Sequence, residues 1–191
     1  MPPESRLHDR TPLMSGDDDD STLCERAAAG CEQSFVALFH RYYDAVHGLV
    51  CRLSRDTADA EDVAQETFIK AARSLGQFGG RSSFKNWLYS IAMNTLRDKR
   101  RSALREEKTR EAFIRESAVT VGETDQREAV AEVLGSLPTD LRDAVTLVYI
   151  EGLNHREAAR VLGCAETTVS WRLFRAKGLL RRRAHSSGVL K

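Results

Sequence analysis

The residues best suited to chemistry in this 191-residue chain are cations interleaved with aromatic side chains. In the segment FKNWLYSIAMNTLRDKRR, Phe84, Trp87 and Tyr89 alternate with Lys85 and precede a basic block. Single-stranded nucleic acid is bound by such patterns, because bases stack on aromatic faces and phosphates contact cations. The alternative is that Phe84 and Trp87 are ordinary core residues, which their helical spacing also allows.

A second basic segment lies near the C-terminus, where NHREAARVLGCAETTVSWRLFRAKGLLRRR has the spacing of a helix-turn-helix motif. Ala159 is small where two helices would cross, and Gly163 can adopt a left-handed turn conformation cheaply. Residues 167–183 carry six basic side chains and no acidic one. Such a helix suits the major groove of DNA. The alternatives are a basic helix packed on its neighbours and one that binds an acidic protein.

The expected core of this motif consists of Val161, Leu162, Val169 and Leu173. Trp171 is open to two interpretations, since it could belong to that core or contact the methyl groups of thymine.

An acidic face lies between these basic segments and the N-terminus. No basic residue occurs between Asp56 and Lys70, and the intervening polar residues include Asp59, Glu61, Asp62, Gln65 and Glu66. Because such a surface repels DNA, it suits a basic protein partner. The alternative is that these charges are merely a solvated surface.

The net charge of +1 conceals segments of opposite sign. Residues 1–20 sum to −4, 21–101 to +3, 102–126 to −2 and 127–191 to +4. This layout predicts an acidic disordered tail over 1–20, a domain over 21–101, a flexible linker over 102–126, a second domain over 127–185 and a short tail over 186–191.

Apolar periodicity predicts an all-α protein of two small helical domains. The first helix follows apolar residues from Phe35 to Leu53, and the second begins near Thr57 and is broken at Gly76. A third helix takes Ser82 or Ser83 as its N-cap, and the linker can extend it. Four short helices are expected over about 127–135, from Pro138 as first helical residue, over 154–162 and over 165–183.

Several classes of function lack support in the sequence. There is no GxxxxGK[ST] phosphate loop, HExxH metal motif or nucleophile motif, so we expect no enzyme, no cofactor and no metal site. The four cysteines form no CxxC pair, which favours scattered reduced thiols. No apolar run could span a bilayer and the first sixteen residues do not resemble a signal peptide, so we expect a cytoplasmic protein without stable membrane insertion.

Taken together, these segments resemble the extracytoplasmic-function (ECF) sigma factors of bacterial RNA polymerase. DAEDVAQETFIKAARSLGQF resembles the helix that binds core polymerase, and FGGRSSFKNWLYSIAMNTLRDKRR the region that melts and recognises the minus-ten promoter element. LPTDLRDAVTLVYIEGLNHREAARVLGCAETTVSWRLFRAKGLLRR resembles the domain that recognises the minus-thirty-five element. The resemblance implies a region 2-like bundle and a region 4-like helix-turn-helix domain.

Three sets of site residues follow from the resemblance. It implies that core RNA polymerase is bound by Asp59, Glu61, Asp62, Gln65 and Glu66. Single-stranded minus-ten DNA would be bound by Gly79, Gly80, Arg81, Ser82, Ser83, Phe84, Lys85, Trp87, Asn94, Arg97, Arg100 and Arg101. Duplex minus-thirty-five DNA would be bound by Thr167, Thr168, Ser170, Trp171, Arg172, Phe174, Arg175 and Lys177.

The resemblance further implies a promoter-specificity subunit held inactive by an anti-sigma factor. Met93 departs from the family, which usually has Arg there, and Ser170 and Trp171 stand where a basic and a small polar residue are common. Two other functions remain alternatives: a stand-alone helix-turn-helix regulator, and a helical adaptor that does not bind DNA.

Overall fold

The computed structural model describes residues 19–54, 57–110 and 132–186, and every regular element in these ranges is helical. The N-terminal unit consists of α1 (Asp20–Ala28), α2 (Glu32–Leu53), α3 (Thr57–Ser74), a 3-10 turn (Leu75–Gln77) and α4 (Phe84–Arg110). The C-terminal unit begins with a short helical stretch at 132–135 and continues with α5 (Thr139–Val145), a π-helical turn (Thr146–Ile150), α6 (His155–Leu162) and α7 (Glu166–Ser186). The prediction of an all-α chain with two helical units is confirmed.

The N-terminal unit is a bundle in which α2 and α3 pack side by side and α4 covers both. Its core includes the fully buried side chains of Leu38, Leu49, Val63, Leu88 and Met93. Met93 therefore occupies an interior position, where a methionine packs without the cost of burying a charge.

The helix α1 begins earlier than the predicted end of the acidic tail. Asp19 is the N-cap of α1 and accepts a hydrogen bond from the Thr22 amide at 2.8 Å. Asp20 accepts hydrogen bonds from Arg41, at 2.7 Å, and from the Tyr42 hydroxyl. The tail prediction was thus wrong for these two residues, because capping and ion pairing order them. Residues 1–18 lie outside the described part of the chain.

The predicted turn between the second and third helices is confirmed. The 3-10 turn ends α3 at the glycine-containing segment, and Ser83 accepts a hydrogen bond from the Asn86 amide at 3.2 Å as the cap of α4. The helix α4 then continues to Arg110, so residues 102–110 of the predicted linker are helical. Residues 111–126 lie outside the described residues.

The helix-turn-helix motif forms as its spacing predicts. Asn154 and Glu157 make a reciprocal capping box at the start of α6. Gly163 ends α6 with φ of +62°, and this left-handed conformation turns the chain into α7. The four predicted core residues, Val161, Leu162, Val169 and Leu173, are all buried.

The prediction that Pro138 is the first helical residue was wrong. Pro138 has ψ of 144° and is the N-cap, so that α5 begins at Thr139. A proline suits either position because its φ is fixed, but the extended ψ places it before the helix. Of the short helix predicted over about 127–135, the structure describes and confirms residues 132–135.

The two units contact each other mainly through α4 and α6. Arg97 of α4 donates to the carbonyl oxygen of Leu162 at 2.9 Å. Arg100 of α4 contacts both carboxylate oxygens of Asp143 in α5, with Nη1–Oδ2 at 3.2 Å. The outer faces of α3 and α7 remain outside these contacts.

Candidate functional site

The acidic residues of α3 line an open groove between α3 and α4. The groove has a volume of about 750 Å³, and Asp62, Gln65 and Glu66 lie on its α3 side. The side chains of Asp62 and Glu66 are 75% and 47% exposed, so both carboxylates are accessible to a partner. Glu61 and Gln65 are also exposed and are joined by a hydrogen bond of 3.2 Å.

Lys99 of α4 partly neutralises this acidic face. Its ammonium group lies 2.8 Å from Asp59 Oδ1 and 3.1 Å from Asp62 Oδ2. The hydrogen bond to Asp59, followed by that to Asp62, raises the pKa of Lys99 above its usual value. Of the acidic residues predicted to bind polymerase, Asp59 thus has the shortest ion pair. Glu66 pairs only loosely with Lys70, across 3.6 Å.

The predicted minus-ten loop is flanked in sequence by residues of an aromatic cluster. In the 79–83 segment Gly79, Gly80, Arg81 and Ser83 are exposed, and Gly80 has φ of +66°. Directly after the loop, the ring of Phe84 is buried and its centroid lies 5.6 Å from those of Phe78 and Trp87. Phe84 is thus a core residue, while Trp87 is half-buried.

The polar and basic side chains predicted on α4 differ in their exposure to solvent. Asn94 and Arg101 are exposed, and Arg101 makes only a loose pair with Asp98 at 3.8 Å. Arg97 and Arg100 are half-buried against the C-terminal unit. Lys85 lies over the ring of Tyr89, with 5.2 Å from Nζ to the centroid.

The helix α7 presents most of its predicted DNA-binding residues to solvent. Thr167, Ser170, Arg175 and Lys177 are exposed, Thr168 is half-buried, and the exposed fractions of Trp171 and Phe174 are 53% and 76%. Trp171 is therefore not a core residue, and its contact with DNA stays a prediction. Ser170 is held by a hydrogen bond of 2.9 Å to His155 Nδ1 at the start of α6.

Arg172 is the exception on this helix. Its side chain is 20% exposed and points toward α5, where Nε lies 3.7 Å from Asp140 Oδ2. A second, weaker contact joins it to the thiol of Cys164 at 3.9 Å. This geometry suits a residue that fixes the position of α7 more than one that contacts DNA directly.

Several residues that the sequence analysis did not list line grooves or lie buried between the two units. Ile69, which is 46% exposed, adds an apolar side chain to the groove beside α3. Tyr149 borders a second, mainly apolar groove of about 510 Å³ against α7. The carboxylates of Asp143 and Glu151 are buried between the two units. The sequence could have pointed to Ile69, because an isoleucine stands out on the acidic face of α3. It could not have pointed to Glu151, because the partners of that residue lie more than sixty positions away.

Neither a metal cluster nor a membrane span occurs in the part of the chain that the structure describes. No group of three or more His, Cys, Asp or Glu side chains is placed to hold a metal ion there. No helix in the same ranges is long and apolar enough to cross a membrane. The four cysteines are free, with Cys24 buried and Cys31, Cys51 and Cys164 half-buried.

Comparison with known proteins assigns both units to one family. Residues 38–106 match the model of sigma-70 region 2, and residues 127–180 match that of sigma-70 region 4. The sigma-H factor of Pseudomonas aeruginosa RNA polymerase is 35% identical over 179 residues, which cover 86% of this chain and 93% of the relative. The ECF sigma-E factor of Escherichia coli is 37% identical over 173 residues, covering 83% and 90%.

The chain belongs to the sigma-70 family, as an ECF-type sigma factor. Two solved structures share the fold of this sigma factor. CnrH in complex with the cytosolic domain of CnrY is 30% identical, with a TM-score of 0.66 and coverage of 88% of this chain and 99% of CnrH. The sigma factor RpoE of Bartonella quintana, in complex with the anti-sigma factor NepR, is 27% identical, with a TM-score of 0.68 and coverage of 78% and 96%.

The matched regions place the candidate sites of the sigma factor in separate units. Region 2 contains the acidic face of α3, the 79–83 loop and most of α4, while region 4 contains the helix-turn-helix motif. Both regions in one chain decide against a stand-alone helix-turn-helix regulator and against an adaptor that does not bind DNA. Sigma factors act as specificity subunits of RNA polymerase and are not catalytic enzymes as a family.

Proposed function

We propose that this sigma factor directs core RNA polymerase to a set of promoters through three surfaces. The acidic face of α3 docks on polymerase, the 79–83 loop with α4 captures the melted minus-ten strand, and α7 enters the major groove of the minus-thirty-five element. The observation that carries the proposal is the arrangement of the N-terminal unit, in which an exposed acidic groove and an exposed glycine-containing loop share α4.

The acidic groove has the features of a protein-docking surface. The carboxylates of Asp62 and Glu66 repel DNA but attract a basic helix, and Ile69 adds an apolar contact in the same groove. Lys99 and Lys70 keep part of the acidic charge paired while no partner is bound. A polymerase surface with basic side chains around an apolar one would fit this groove.

The 79–83 loop is suited to hold an unpaired base. Its glycines leave room for a nucleotide, since a Cβ added to Gly79 or Gly80 would meet no atom within 4 Å. The rings of Phe78 and Phe84, which directly precede and follow the loop, pack on each other and on Trp87 and so hold its two ends together. Binding an extruded base would offset the few kcal/mol that unstacking costs, so strand opening would need no nucleotide hydrolysis by the sigma factor.

The exposed face of α7 suits recognition of duplex DNA. Thr167, Ser170 and Arg175 offer hydrogen-bonding groups, and Trp171 and Phe174 offer apolar surface that matches thymine methyl groups. The left-handed turn at Gly163 and the buried side chains of Leu162 and Val169 on either side of it set the angle between α6 and α7, which positions this face.

An anti-sigma factor is part of the proposal. CnrH and RpoE were each solved with a partner, CnrY and the anti-sigma factor NepR respectively. We infer that a protein of this kind holds the present chain inactive. The function proposed here also implies that the chain has no enzymatic activity of its own and works in the cytoplasm, where RNA polymerase acts.

Permanganate footprinting tests the proposed function. Core polymerase, the purified full-length chain and a library of genomic promoter fragments are combined, and reactive thymines near transcription starts are mapped. We expect reactive thymines at a shared subset of fragments only when both proteins are present. The Asp62→Arg, Glu66→Arg double variant serves as the control that cannot dock. Absence of melting across the whole library would contradict the proposal.

A further inference from the structure

The hydroxyl group of Ser170 makes two hydrogen bonds within the protein, although Ser170 lies on the exposed face of α7. Its Oγ is 2.9 Å from Nδ1 of His155, the first residue of α6. It is also 3.2 Å from the backbone carbonyl oxygen of Glu166, one turn earlier on α7. The orientation of this hydroxyl group is therefore determined before any DNA is bound.

The start of α6 fixes the position of His155. The residue directly follows the N-cap Asn154, whose side chain accepts a hydrogen bond from the Glu157 amide at 3.0 Å. The Glu157 carboxylate in turn accepts from the Asn154 amide at 3.0 Å. His155 is half-buried, and α6 packs against α7. The imidazole thus reaches Ser170 from a neighbouring helix with a fixed first turn.

The protons of this cluster leave Ser170 with nothing to donate to DNA. A serine hydroxyl has one proton and two lone pairs that accept hydrogen bonds. If the proton goes to the Glu166 carbonyl oxygen, Nδ1–H of His155 donates to Oγ and one lone pair remains. If the proton goes to Nδ1 of His155 instead, the lone pairs remain. In both arrangements Ser170 offers DNA an acceptor and no donor.

We propose that Ser170 recognises the minus-thirty-five element as a hydrogen-bond acceptor and so selects adenine or cytosine, with His155 as its positioning residue. This inference rests on the proposed function, which places α7 in the major groove. There, adenine and cytosine each present an amino group, whereas guanine and thymine present acceptors. Two acceptors that face each other form no hydrogen bond and both lose water, which disfavours guanine and thymine opposite Ser170.

Ser170 lies where the edge of a base would reach it. Thr167, Ser170 and Phe174 are exposed, and their spacing of three and four residues puts them on one face of α7. Val169 and Leu173 are buried on the other side of the helix. Ser170 is the fifth residue of α7, and the N-terminal part of a recognition helix is the part that contacts base edges.

Two basic residues farther along α7 have the opposite hydrogen-bonding character. Arg175 and Lys177 are exposed, and their side chains donate hydrogen bonds but accept none. Guanine, which presents O6 and N7, is the base that such donors favour. Ser170 therefore adds a base preference that these two cations do not supply.

Selection from randomised DNA identifies the base that Ser170 contacts. Holoenzyme formed from core polymerase and the full-length chain selects among fragments of one melted promoter whose minus-thirty-five element is randomised. The same selection is made with Ser170→Ala, which leaves the core in place because Ser170 is exposed. We expect the natural chain to select adenine or cytosine at one position. The variant should accept all four bases there and keep its preferences elsewhere.

A base analogue measures the single hydrogen bond. Purine in place of adenine, or 2-pyrimidinone in place of cytosine, removes the amino group of the selected base. We expect the natural holoenzyme to bind the analogue duplex about fivefold more weakly, the effect of one hydrogen bond of ordinary strength. Ser170→Ala should bind both duplexes equally well. Comparison of the two proteins in a double-mutant cycle cancels the effect of the analogue on base pairing.

Two variants of His155 test its positioning role. His155→Phe keeps a ring but removes Nδ1, so that Ser170 retains only the longer bond to Glu166 and its hydroxyl can turn toward DNA. His155→Asn, the matched control, keeps an amide group near the place of Nδ1. We expect the ratio of affinities for the natural and analogue duplexes to fall toward that of Ser170→Ala in His155→Phe and to be retained in His155→Asn. Equal weakening on both duplexes, with an unchanged ratio, would overturn the positioning role.

The outcomes separate this inference from the proposed function. Selection of guanine or thymine at the position that Ser170→Ala relaxes would overturn the acceptor contact, although the holoenzyme still recognises promoters. A Ser170→Ala variant with unchanged preferences at every position would overturn it as well. Failure of the natural holoenzyme to select any sequence would instead contradict the proposed function, and the acceptor contact with it.

Discussion

The guanidinium carbon of Arg175 lies 5.3 Å from the centroid of the Trp171 ring, one helical turn away on α7. This cation–π contact restrains both side chains on the exposed face of the recognition helix. Because Arg175 loses less rotamer freedom on binding when it is already placed, the pair forms a preformed apolar and cationic surface, which suits the DNA contact proposed for α7.

Removal of Arg175 is expected to weaken binding of the upstream element selectively. The Arg175→Ala variant should lose roughly tenfold in affinity for minus-thirty-five duplex DNA, which matches the lower range for one good base contact. Capture of minus-ten single strands by the holoenzyme should be nearly unchanged. Electrophoretic mobility shifts with each DNA probe measure the two effects. Equal losses on both probes would remove Arg175 from the minus-thirty-five site.

Charge reversal on α3 should abolish binding to polymerase. The Asp62→Arg, Glu66→Arg double variant replaces two exposed carboxylates and should leave the fold intact, because neither side chain is buried. Co-purification with core polymerase measures docking, and circular dichroism measures the fold. Asp44→Arg, an exposed reversal on α2, is the control. Unchanged co-purification of the double variant would contradict the docking face.

Two glycine substitutions should change stability in opposite directions. Gly163→Ala places a side chain at φ of +62° and should cost about 1 to 2 kcal/mol, although its Cβ would meet no atom within 4 Å. Gly178→Ala lies inside α7 with equally open space and should stabilise by about 0.5 to 1 kcal/mol. Urea denaturation measures the free energy of unfolding of both variants. If both substitutions stabilise or both destabilise the protein, the conformational argument is contradicted.

Alkaline pH should destabilise the fold through Cys24. Burial, with smaller contributions from Asp20 and Glu25, raises the pKa of this thiol from 9.0 to about 11. The folded state therefore keeps the proton that the unfolded state releases, and stability is lost as the pH rises from 9 toward 11. Urea unfolding at several pH values should show a shallower loss for Cys24→Ala than for the natural chain. Parallel curves would argue against the shifted pKa.

Local pattern was sufficient to predict most of the helices that the structure describes. The periodicity of α2 and α3, the Ser83 cap and the Gly163 turn each depend on residues close in sequence, and all are confirmed. The helix α1 was not predicted, because its start depends on Asp20 reaching Arg41 and Tyr42 on another helix. Like charges in a row predict disorder only when no cap or cation is available to them.

The packing of one unit against the other could not be predicted from the sequence. Periodicity identifies the buried face of each helix, but Glu151 and Tyr89 are separated by 62 residues and form a contact only after both units have folded. Exposure of Trp171 was likewise undecided, because an aromatic residue on an amphipathic helix fits both a core and a binding surface.

The unbroken length of α4 sets a distance within the protein. Its 27 residues span about 40 Å, from Phe84, which follows the 79–83 loop, to Arg110. The helix therefore fixes the position and direction in which the chain leaves region 2 relative to the 79–83 loop. One residue inserted near its C-terminal end would rotate that exit by about 100° and advance it by about 1.5 Å. Promoter spacing preference would then depend on helix phase as well as on linker length.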